Sequence, residues 1–152
     1  MSISTFELFS IGVGPSSSHT VGPMKAAYEF TRLLIQANTI EKITRVTVDL
    51  YGSLALTGKG HATDLAILNG LEGFQPDTVE PSEVKSRVER ISTHKQLKFA
   101  GLKAIEFQPD TDLIFHMQES LPLHANGMYF TAYDAEGNIL KDKTYYSIGG
   151  GF

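Results

Sequence analysis

The chain has 152 residues, of which 41% are hydrophobic and 20% charged, the profile of one globular domain able to bury about 70% of its unfolded surface. Acidic residues outnumber basic ones 17 to 13 without a basic stripe, which argues against nucleic acid and anionic membrane as partners. Cysteine is absent, so disulfides, thiolate nucleophiles and any thiolate-held metal centre built from this chain alone are excluded.

In chain order, Ser4 to Phe9 reads as a short helix with Ser4 as cap and Glu7 three places on. Met24, Ala27, Tyr28, Thr31, Leu34 and Ile35 recur at helical spacing, predicting a helix from about Val21 to Ala37 with Thr20 as N-cap and Pro23 in the first turn. Ile43 to Tyr51 alternates, with Val46, Val48 and Leu50 on one face of a strand. A helix from about His61 to Leu71 follows, with Leu65 and Leu68 in its apolar stripe and Gly70 and Gly73 closing it. Gln75 to Pro81 is a loop, and Pro81-Ser82-Glu83 opens a third helix with Val84, Val88 and Ile91 inward. Lys103–Phe107, Leu113–Gln118, Met128–Asp134 and Ile139–Ile148 are β-like, the last two joined by a hairpin turn over Asp134 to Asn138. Early helices and late strands predict an α+β fold, helices packed on one face of a mixed sheet. Gly149 to Gly151 before Phe152 read as an interdomain hinge, so residues 1–152 are expected to be one domain excised from a longer protein. No apolar run reaches the ~18 residues of a membrane span. Met1 to Phe9 lacks the features of a signal peptide, and the cytoplasm is the expected location.

Three places concentrate chemistry. Ser16, Ser17, Ser18, His19 and Thr20 lie between Gly14-Pro15 and Gly22-Pro23 just before a helix. A single hydroxyl suffices for a cap, so the others are read as donors for a small anion at the helix N-terminus. Gly58-Lys59-Gly60-His61 precedes the second helix, but five residues separate Gly52 from Gly58 and Gly60 stands where a phosphate-binding loop needs Ser or Thr. Nucleotide binding is rejected on that spacing. His61 is either a helix-start structural residue or a group that titrates near a substrate, with Asp64 one turn on to orient it. His124 and Asn126, in Leu121 to Gly127, either belong to a plain turn or present an imidazole and an amide to the same pocket. His94 and His116 have no partner nearby in sequence and are assigned structural roles. Neither forms a metal-binding spacing with another histidine.

Together these places resemble the signatures of the iron–sulfur-dependent bacterial L-serine dehydratases. Gly14 to Met24 is similar to their N-terminal block, Tyr51 to Asp64 to the second, and His124-Ala125-Asn126-Gly127-Met128 to the third. Tyr145 to Phe152 is similar to the segment entering their next domain. The resemblance implies the smaller β domain of an enzyme converting L-serine to pyruvate and ammonia without pyridoxal phosphate. A separate catalytic (α) domain, absent here, would hold a 4Fe-4S cluster by its cysteines and be this domain's partner. A homo-oligomer is expected. The fold would be similar to the substrate-sensing domain of some phosphoglycerate dehydrogenases. His61 would be the catalytic base. Ser16, Ser17, Ser18, His19, Thr20, Lys59, Thr63, His124 and Asn126 would contact L-serine, and no residue would bind metal. The competing readings are a regulatory serine-sensing module and a dimerisation scaffold.

Overall fold

The computed structural model describes residues 21–52, 54, 62–116 and 127–146. The Ser4–Phe9 helix and the Thr20 cap lie outside them. Helix α1 spans Gly22–Gln36 with Pro23 in its first turn, and Val21 before it already has helical torsions (φ −67°, ψ −48°). Its buried face is wider than the predicted stripe. Ala26 and Phe30 join Met24, Ala27, Thr31 and Leu34 in the interior, whereas Tyr28 and Ile35 are half-buried at the margin.

A 3-10 turn at Ile40–Lys42 leads into β1, Arg45–Tyr51, shorter than predicted because Ile43 closes that turn. Val46, Val48 and Leu50 are fully buried on one face of β1, as strand alternation requires. Helix α2 spans Ala62–Leu71. A 3-10 turn at Pro81–Glu83 opens α3, Val84–His94, in which Ile91 is buried. Strands β2 (Gln96–Phe99) and β3 (Lys103–Glu106) form a hairpin of their own. A one-turn helix α4, Pro109–Asp112, precedes β4, Leu113–His116. Strands β5 (Gly127–Tyr133) and β6 (Ile139–Tyr146) complete the described elements.

The main sheet runs β4-β1-β5-β6, parallel between β1 and β4 and antiparallel elsewhere. This is the predicted α+β architecture on a mixed sheet. The hairpin over Asp134 to Asn138 is also as predicted: Asp134 Oδ1 accepts the N–H groups of Glu136 and Asn138, and Gly137 has φ +85°. The core joins Phe30 and Leu34 of α1, Ile67 and Leu68 of α2, and Val48, Leu50, Met128 and Phe130 of the sheet. Phe30 stacks on Phe130 with centroids 5.3 Å apart and meets Phe99 edge-on at 6.4 Å.

Of the two glycines predicted to close α2, only Gly73 does so. Its φ is +96°, its N–H donates to Gly70 O, and Phe74 N–H donates to Asn69 O, the paired bonds of a Schellman cap. Gly70 is instead inside the helix. A Cβ there would lie 2.5 Å from Met24 O and 2.7 Å from Ala27 Cβ, so the missing side chain lets α1 and α2 approach.

Candidate functional site

The strand alternation that buries Val46, Val48 and Leu50 turns Thr47, Asp49 and Tyr51 to the opposite face of the sheet. Parallel pairing sets Tyr51 beside His116 and Asp49 beside Ile114. The His116 ring stacks on Tyr51 at 4.5 Å with 6° between planes, and its Nε2 lies 2.7 Å from Asp49 Oδ1. A carboxylate only accepts, so the imidazole donates from Nε2. No partner for His116 lies nearby in sequence, and the structure supplies a distant one. The partner sits 67 residues away and is delivered by sheet pairing, which local sequence cannot display. His94, by contrast, is exposed in the last turn of α3.

His116, Tyr51, Gly127 and Tyr146 stand side by side at one end of the four-stranded sheet. From these residues the chain continues into the parts that hold Lys59 and His61, His124 and Asn126, and the terminal glycines. The N-terminus of α1, where Val21 joins the serine-rich stretch, points to the same end. Its C-terminus feeds the start of β1, and Phe30 lies over the middle of β5. Burial, and secondarily the Glu29 carboxylate, push the Tyr145 phenol up to about 12.

Among the predicted site residues only Thr63 is described. It is fully buried in the first turn of α2, next to Asp64, which is also buried and whose Oδ1 accepts the Leu65 N–H at 2.9 Å. An acidic side chain there is favoured by the helix dipole. Ser16, Ser17, Ser18, His19, Thr20, Lys59, His61, His124 and Asn126 lie outside the described residues.

Two further features were not foreseen. A cleft of about 380 Å³ opens between α2, α3 and the Pro109–Leu113 stretch, with Asp64, Leu65, Leu68 and Val88 in its wall. Leu65 is therefore a wall residue of this cleft, half-buried and not sealed in the core. Toward the C-terminal end of α2, the buried Glu72 carboxylate accepts the Lys98 N–H at 2.8 Å and pairs with Arg90, while Arg87 Nη1 donates to Asn69 Oδ1 at 2.7 Å and its guanidinium covers the Phe74 ring. This network is satisfied internally and ties α2 to α3 and β2.

A 4Fe-4S cluster does not fit the residues of this chain. Cysteine is absent from the sequence, and among the described residues no three His, Asp or Glu side chains converge on a point that could hold a metal ion. No helix among the described residues is long and apolar enough to cross a membrane.

Residues 4–152 match the family described as serine dehydratase beta chain. The chain is 51% identical over 152 residues to the L-serine dehydratase of Streptomyces coelicolor, covering 100% of this chain and 33% of that protein. It is 52% identical over 151 residues to L-serine dehydratase 2 of Escherichia coli, covering 99% of this chain and 33% of that one. With the L-serine dehydratase of Mycobacterium tuberculosis the identity is 45% over 152 residues, again 100% and 33% of the two lengths. The chain thus spans about a third of the length of these curated relatives.

Proposed function

Because the chain belongs to the serine dehydratase beta chain family, we propose that it forms the substrate-holding half of an L-serine dehydratase, converting L-serine to pyruvate and ammonia. The 4Fe-4S cluster, and with it the handling of the departing β-hydroxyl, belongs in this reading to the portion outside the chain, the catalytic (α) domain. His61 is the base. The α-proton of serine is weakly acidic, and an imidazole that titrates near neutral pH is suited to accept it. Ser16, Ser17, Ser18, His19 and Thr20, ahead of α1, supply hydroxyl and N–H donors for the substrate carboxylate. Lys59, Thr63, His124 and Asn126 complete the pocket on this side.

The observation that supports this reading most is the row His116, Tyr51, Gly127 and Tyr146. Tyr51 and Gly127 stand at the same end of the sheet, and in sequence the chain runs on from Tyr51 toward Lys59 and His61 and reaches Gly127 directly after His124 and Asn126.

The test is His61→Asn in the complete enzyme. Loss of the base lowers kcat by about 10²–10⁴-fold while leaving serine affinity largely intact. Turnover preserved with a changed dependence on serine concentration would replace this reading by a sensing module. Unchanged activity in both Ser17→Ala and His19→Ala variants would leave only a dimerisation scaffold.

A further inference from the structure

Strand β4 is four residues long and pairs with β1 alone among the described strands. A strand held by one neighbour is the least secured of a sheet, and His116 is the last described residue of β4. Yet His116 is the residue most firmly tied on this strand, by ring stacking on Tyr51 and by the 2.7 Å bond from its Nε2 to Asp49 Oδ1. The pair is half-sheltered, with side-chain exposures of 27% and 18%, so the bond is less screened by water than a surface contact. It spans two positions of β1, because Asp49 is in register with Ile114 and Tyr51 with His116. On the next strand Asp49 faces Tyr129, whose hydroxyl is turned to Asp142.

We propose that Asp49 and His116, with Tyr51 as platform, are a positioning pair for the dehydratase reaction. The pair locks the ends of β1 and β4 together, and so fixes the two points from which the stretches bearing His61 and His124 depart. The inference rests on the proposed function for what is positioned, and on the sheet geometry for how. Neither residue touches substrate. A catalytic group displaced by about 1 Å loses on the order of 10²-fold in rate, so a bond at the root of two such stretches acts on kcat through them.

The experiment measures serine turnover by the complete enzyme carrying Asp49→Ala, His116→Phe, the double substitution, and Asp49→Asn. His116→Phe keeps a ring over Tyr51 and removes the hydrogen bond to Asp49. Asp49→Asn keeps an acceptor of the same shape. Each of the first two lowers kcat by about 10- to 100-fold with KM changed by no more than about threefold. The double variant is no worse than either single one, and Asp49→Asn recovers most of the rate. Single variants within about twofold of the parent in kcat, or losses that multiply in the double variant, would overturn the pair. If Asp49→Ala fails to fold, His116→Phe and Asp49→Asn decide alone. His61→Asn is assayed in parallel. If it retains full turnover the assignment of the base falls, while the coupling between Asp49 and His116 is still read from their own variants.

Discussion

Tyr145, on β6, packs against the core with its ring edge-on to Phe130 at 5.7 Å. Ionising it would place an anion in a half-buried setting, with added repulsion from the Glu29 carboxylate, which pushes its pKa from the ordinary tyrosine value up to about 12. A raised folded-state value means that the fold favours the neutral phenol. Its contribution to stability is complete below the ordinary tyrosine range and is lost as pH climbs through about 12. Urea unfolding followed from pH 9 to 11.5 is therefore expected to show a decline that Tyr145→Phe makes shallower; an identical slope in the variant would contradict this assignment. Glu72 invites a second substitution. Its side chain is only 4% exposed and accepts from both Arg90 and the Lys98 N–H. Glu72→Ala strands those donors and is expected to cost about 3 kcal/mol. Arg90, at 44% exposure, regains water and keeps the loss below that of a sealed ion pair. Chemical denaturation measures it directly.

Among the elements, the contact of α1 with α2 turns on Gly70. Alanine would improve helix propensity by up to about 1 kcal/mol, but its Cβ would meet the Met24 carbonyl oxygen at 2.5 Å. Neither that backbone atom nor Ala27 Cβ can rotate away. Overpacking of this kind costs about 1–3 kcal/mol, so Gly70→Ala is expected to lower the urea midpoint despite the better helix former. The same glycine marks the limit of sequence reading, since a helical glycine and a closing glycine look alike until a neighbouring helix is known. Helix α1 and strand β1 were legible because burial imposes periods of 3.6 and 2.0 on their residues. Strand β2 was not: Gln96–Phe99 offers only one alternation of Leu97 and Phe99, directly after a helix. Its turn stands on Ala100 at φ 58°, held by donation of its N–H to Leu71 O at 2.7 Å, a tertiary contact that no local pattern announces. The predicted site residues were chosen by chemistry and by family resemblance. The bond between Asp49 and His116 was invisible to both, because it exists only once β4 is set parallel to β1.

For the whole molecule, the decisive number is the share of its relatives that the chain covers, 33% of the Streptomyces coelicolor protein. Removing the α-proton of serine is useful only if the β-hydroxyl also leaves, and hydroxide is a poor leaving group that needs a Lewis acid. With no cysteine in 152 residues, the chain cannot hold the iron–sulfur cluster that the proposal assigns to its partner portion. Its own half of the pocket would also lack much of the enclosure and charge pairing that a small polar ligand requires. The purified chain is therefore expected to release no pyruvate from L-serine and to bind serine weakly, while adding the cluster-bearing portion restores turnover. Coupled pyruvate detection with and without that portion measures the first expectation, and calorimetric titration the second. Pyruvate production that survives repeated purification of the chain alone would mean that its own side chains expel hydroxide, and would remove the division of labour on which the proposed function depends.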